Sequence, residues 1–145
     1  MLQKSMLSSL LLAAFVVLFI LLAVPSTRVS ADPAVTDAWV APARATRKAN
    51  PIAADAKSIA AGKALFTKQC FSCHGEAGKG DGPAAANLTK KPGNLSDPKL
   101  ATQADGALFW KITEGRTPMP TFEKLLTEEE RWNVINFVRT LAPKK

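Results

Sequence analysis

Two thiols and an imidazole stand within five consecutive residues, Cys70-Phe71-Ser72-Cys73-His74. Cysteines one helical turn apart can add to the two vinyl groups along one edge of a porphyrin. A histidine directly after the second can then reach the iron from below, and C-x-x-C-H is the pattern of covalent c-type haem attachment. These are the only cysteines and the only histidine of the 145-residue chain. A structural zinc site needs four ligands, more than two thiols and one imidazole supply. A thioredoxin-like pair wants a strand before it and a βαβ unit around it. A plain disulfide leaves the placement of the lone histidine unexplained. The motif therefore points to one covalently bound haem c, with His74 on the iron.

The sixth position of that iron follows by elimination. Two imidazoles from this chain are excluded, and of the three methionines Met1 and Met6 lie in an apolar N-terminal segment, which leaves Met119. Methionine is most often a flexible filler of core gaps. Pro118-Met119-Pro120 is a stiff setting for such a role. A thioether opposite the imidazole raises the reduction potential relative to two imidazoles. With both axial positions filled, no site is left for substrate, and the expected function is single-electron carriage rather than catalysis. Two rivals stay open. A peroxidase or gas-binding haem would need Met119 to leave, and no acid–base partner is identifiable for it. A purely structural haem domain is the other.

These residues must be positioned by elements around them. Ser58 can cap a helix over residues 58–70, with Ile59, Gly62, Leu65, Phe66 and Gln69 spaced three or four apart. Residues 75–98 hold five glycines and three prolines, a long irregular stretch of the kind that wraps something functional. A second helix fits residues 105–114, with Leu108, Phe109 and Ile112 inward and Gly115 as its stop. The last helix opens on Thr127 with acids at 128–130, a capping box, and carries Val134, Phe137, Val138 and Leu141 as its apolar stripe. Nothing alternates with a period of two, so the fold class is all-α with long loops.

Residues 1–31 read as targeting rather than fold. An unbroken apolar run spans 10–24, Pro25 breaks it, and Val29-Ser30-Ala31 offers a peptidase site. Extended to Leu7, the run approaches the length that spans a bilayer. A cleaved signal peptide and an uncleaved anchor, with membrane association through 7–24, are both compatible with it. Either places the remainder in the periplasm or on the outer face of the cytoplasmic membrane. Residues 32–54, with Pro33, Pro42, Pro51, many alanines and the cations Arg44, Arg47 and Lys48, read as an extended Pro/Ala-rich arm. The haem domain is then 55–145. The net charge of +7 suits an acidic partner or anionic lipid. The basic residues are scattered, which argues against nucleic acid.

The residues 55–141 resemble a class I monohaem c-type cytochrome. The likeness rests on Gly62 and Phe66, CFSCH, the pair Gly82-Pro83, the Met119 loop and an aromatic-rich last helix, in that order. It implies the cytochrome c fold, three main helices around one covalent haem. It also implies that Gly62, Phe66 and Phe137 meet where the first and last helices cross, and that the Pro83 carbonyl accepts the His74 Nδ1–H. Trp110 or Trp132 would contact a haem propionate. The strings GKGDGPAAANL and GALFWKITEGRTPMPTFEKLLTEEERWNVINFVRTL are similar to monohaem subunits of membrane respiratory assemblies, alternative complex III among them. That likeness implies redox protein partners, with the 32–54 arm and its Trp39 lying along such a complex. A free soluble shuttle is the alternative.

Overall fold

The computed structural model describes residues 38–142. The apolar run, the peptidase site and the first part of the arm lie outside the described residues. In chain order the helices are α1 (Ala43–Thr46), α2 (Ala56–Gln69), α3 (Phe71–His74), α4 (Pro98–Ala101), α5 (Asp105–Glu114) and α6 (Glu128–Leu141), with a 3-10 turn at Ala85–Asn87 between α3 and α4. Among the described residues there is no sheet, only an isolated bridge between Arg116 and Met119. The all-α expectation holds, with α2, α5 and α6 as the three long helices.

The dominant packing is α2 across α6. Gly62 is buried at the crossing, and a Cβ there would overlap the Asn133 carbonyl and sit 3.0 Å from the Phe137 Cβ. The missing side chain lets the two backbones approach. One turn on, Phe66 and Phe137 meet with ring centroids 5.2 Å apart and tilted by 56°, an arrangement that adds about 0.5–1.5 kcal/mol beyond burial. Gly62, Phe66 and Phe137 thus stand together as the resemblance implied. Around them Phe122, Leu126, Val134 and Val138 complete one buried cluster. A second joins Leu108 and Phe109 of α5 to Trp132 and Ile135 of α6, with Phe109 stacked on Trp132 at 4.1 Å.

The helix ends follow their chemistry. Thr127 and Glu130 form the reciprocal capping box, and Gly115, at φ +66°, ends α5. At α2 the cap is Asp55 rather than Ser58: its side chain accepts from the Ser58 N–H, and the helix starts two residues earlier than the sequence suggested. Ser58 is instead buried, donating its hydroxyl to Asn133 Oδ1 at 2.7 Å.

The larger difference concerns the segment read as an extended arm. From Trp39 onward it forms a strap with the short α1, laid over α5 and the α2–α6 crossing. Ala45 and Lys48 press their carbonyls on Gly106, where any Cβ would collide with them. Lys48 pairs with Glu128 at 2.7 Å and lies 4.3 Å from the Phe109 ring centroid. Asn50 donates to Asn136 Oδ1 at 2.7 Å, and the Asn136 amide donates toward Ser58 Oγ and the Ile52 and Ala53 carbonyls. Trp39 tilts against Trp110 at 6.4 Å. Its composition alone cannot bury a core. What docks the strap is Glu128 and Asn136 of α6 together with Gly106 and the aromatic rings of α5, which a composition count does not register.

Candidate functional site

The cysteine–histidine motif is built where α2 gives way to α3. Cys70 closes α2 through its N–H to the Phe66 carbonyl at 2.8 Å, and a single helical turn, held by His74 N–H to Cys70 O at 2.9 Å, carries Phe71 to His74. Both thiols are half-buried and not joined to each other. Burial, with the neighbouring Cys73, pushes the Cys70 thiol up to about 11. It therefore stays neutral at physiological pH, and an uncharged thioether suits the same apolar setting.

The glycine-rich stretch then wraps this turn. Gly80 N–H bonds the His74 carbonyl at 2.8 Å, Gly82 N–H the Cys73 carbonyl at 3.1 Å and Ala84 N–H the Ser72 carbonyl at 2.8 Å, while Leu95 N–H closes the loop on Gly78 O at 2.6 Å. This return brings the Gly93 carbonyl 3.1 Å from His74 Nδ1. A carbonyl can only accept, so Nδ1 carries the proton and Nε2 presents its lone pair. Such a bond fixes the ring and makes the imidazole a better donor. Burial lowers the His74 pKa, partly opposed by this same bond, which favours the neutral ring a metal needs.

The expectation for Pro83 is therefore corrected. Its carbonyl is not the one beside His74; Pro83 lies exposed just after the Gly82 contact, and the loop runs ten residues further before a carbonyl returns to the ring. The signal available in the sequence was the second proline–glycine pair, Pro92-Gly93, ahead of Asn94-Leu95.

Met119 sits in a tight turn in which Arg116 and Met119 exchange both backbone hydrogen bonds at 2.9 Å. Downstream, Phe122 N–H bonds Ile112 O at 3.2 Å and Thr121 Oγ1 bonds Thr113 O at 2.6 Å, tying the loop to α5. Arg131, buried on α6, donates to the Phe122 and Glu123 carbonyls at 3.4 and 3.1 Å, with its guanidinium 4.9 Å from the Phe109 ring centroid. The sequence reading missed Arg131, because an arginine inside an apolar stripe reads as a solvated charge. Met119 and Cys70 both pack on the cluster of Phe66, Phe122 and Phe137, alongside half-buried Leu95, Leu100 and Ile112.

The donor set fits a covalently held haem: two thiols a turn apart, an imidazole with Nε2 available, a thioether on the same apolar cluster and a partly open apolar fringe. The two tryptophans separate. Trp132 is fully buried and its indole N–H points to Glu128 at 3.4 Å, whereas Trp110 is half-buried beside Trp39.

An all-α domain built around a C-x-x-C-H turn is a c-type haem protein. Residues 59–142 match the Cytochrome c family model, and the chain belongs to that family. It is 38% identical over 92 residues to cytochrome c6 of Rippkaea orientalis, covering 60% of this chain and 74% of that protein. To cytochrome c6 of Alaria esculenta it is 34% identical over 83 residues, covering 57% and 91%. Among solved structures, a chain of the Kuenenia stuttgartiensis reducing HAO-like protein complex superposes with a TM-score of 0.58 at 30% identity. That match covers 64% of this chain and 47% of the other, so the chain spans about half the length of that solved relative. The protein is a cytochrome c-type electron carrier with one haem c attached through Cys70 and Cys73.

Proposed function

We propose that this chain carries single electrons on a low-spin haem with His74 and Met119 as its axial ligands. The observation that carries the reading is the bond between His74 Nδ1 and Gly93 O, which leaves Nε2 as the ligating nitrogen. Met119, turned back on Arg116 and packed on the same cluster as Cys70, would supply the second ligand. The haem, when bound, supplies a one-electron couple. Around it Gly93 orients the imidazole, the Arg116–Met119 turn holds the thioether, and Leu95, Leu100 and Ile112 keep water away. Met119→Ala tests this. The variant should lose its low-spin ferric spectrum, bind imidazole rapidly and show a lower reduction potential; Met119→His should stay low-spin with a lower potential. Unchanged spectra and potentials in both would remove Met119 as ligand.

The working place we propose is the outer face of the cytoplasmic membrane, with electrons exchanged with a membrane respiratory complex. The apolar run at 10–24 supports the place, and the sequence likeness to respiratory haem subunits supports the partner. Trp39 and Lys48 make intramolecular contacts, so residues 39–54 serve their own haem domain in this reading. The alternative is a free soluble shuttle. Stoichiometric co-purification with a membrane complex supports the first reading, and recovery wholly as a soluble monomer supports the second.

A further inference from the structure

We infer that Trp39 is a positioning residue for Met119, acting through Arg116. The inference rests on Met119 being the sixth ligand. The chain that connects them is short. The Trp39 ring stands 6.4 Å from Trp110, with Lys111 Nζ at 5.7 Å and the Arg116 Cζ at 6.0 Å from its centroid. Arg116 is in turn joined to Met119 by two backbone hydrogen bonds of 2.9 Å, so the cation beside Trp39 and the thioether are borne by one tight turn.

The other side of the loop is already moored, by Thr121 and Phe122 to α5 and by Arg131 from α6. On the Arg116 side, the aromatic face offered to the cation comes from the strap. The strap is held at Lys48–Glu128 and Asn50–Asn136, and lies outside the residues matched by the family model. A segment ahead of the residues that match the family model thus braces the loop that bears the ligand. Loop opening, which must precede displacement of Met119 by an outside ligand, separates Arg116 from Trp39 and is opposed by that contact.

The test uses the full-length ferric holoprotein and imidazole as the probe, read by stopped-flow absorbance. Trp39→Ala should leave the resting low-spin spectrum in place and speed imidazole binding roughly twofold to fivefold, the worth of one such cation–aromatic contact. Trp39→Phe, which keeps a ring face, should return the rate to within about twofold of the unaltered protein. Asn50→Ala cuts the strap's mooring on Asn136; it should lower the melting temperature without changing the rate. A Trp39→Ala rate equal to that of the unaltered protein, or an Asn50→Ala rate raised equally, overturns the positioning role. Met119→Ala runs alongside. If it binds imidazole no faster than the unaltered protein, the ligand assignment falls and the role of Trp39 falls with it. If it binds fast while Trp39→Ala does not, only the strap's role is lost.

Discussion

Replacing Gly62 with alanine adds one methyl at the point where α2 crosses α6. Built on the existing backbone, that methyl overlaps the Asn133 carbonyl and comes within 3.0 Å of the Phe137 Cβ. Neither neighbour is the free end of a flexible side chain, so the helices must separate. Alanine gains about 0.8–1 kcal/mol of helix propensity over glycine. Against this, overpacking a close crossing costs about 1–3 kcal/mol or more, and separation loosens the Phe66–Phe137 pair, worth about 0.5–1.5 kcal/mol. We expect a net loss of about 2 kcal/mol, which for a domain of this size lowers the melting temperature by on the order of 10 °C. Urea unfolding of the holoprotein followed by far-ultraviolet circular dichroism measures it. A Gly62→Ala protein within about 0.5 kcal/mol of the unaltered one would refute the reasoning, since surface-like substitutions fall in that range.

Arg131→Met should cost about 2–3 kcal/mol, measured by urea unfolding, because the Phe122 and Glu123 carbonyls lose a charged donor; it should also speed imidazole binding by loosening the Met119 loop. Lys48 gives a pH-dependent outcome. Its hydrogen bond to Glu128, more than any other contact, holds that carboxyl below its ordinary 4.5. The stabilisation is complete above pH 4.5 and is lost as pH falls through the lowered value. Lys48→Met should therefore lower the urea midpoint at pH 7, and by less at pH 3. A difference that stays constant would assign the effect of Lys48 to its packing on Phe109 alone.

What could be read from the sequence is what is local. C-x-x-C-H, the Thr127 capping box and the Gly115 stop each lie within one or two turns of chain, and the structure has α5 at the expected residues and the boxed start of α6. The Gly62–Phe66–Phe137 crossing came from the family resemblance rather than from spacing. The parts that were not legible depend on where a loop returns. Residues 75–98 offer two proline–glycine neighbours, and only the folded path decides that Gly93, not Pro83, faces His74. Ser58 and Asp55 both have capping chemistry; Asn133 takes the Ser58 hydroxyl and leaves the cap to Asp55. The strap was read as an arm because its partners Glu128 and Asn136 stand 80 and 86 residues further along the chain.

Gly106 gives that strap a mark that can be inherited. It is buried on α5 with the Ala45 and Lys48 carbonyls pressed against its Cα, so no larger residue fits while the strap is docked. The converse also holds: a chain without a strap leaves an open slot over that glycine, beside the Phe109 and Trp132 rings, and gains by filling it with a side chain. We expect the two features to vary together. Losing the segment favours a bulkier residue at 106, and acquiring that residue first would expel the segment. Among related haem domains, a glycine at this register of the helix before the methionine loop, with a segment of some fifteen residues ahead of the first helix, identifies those built in the same way.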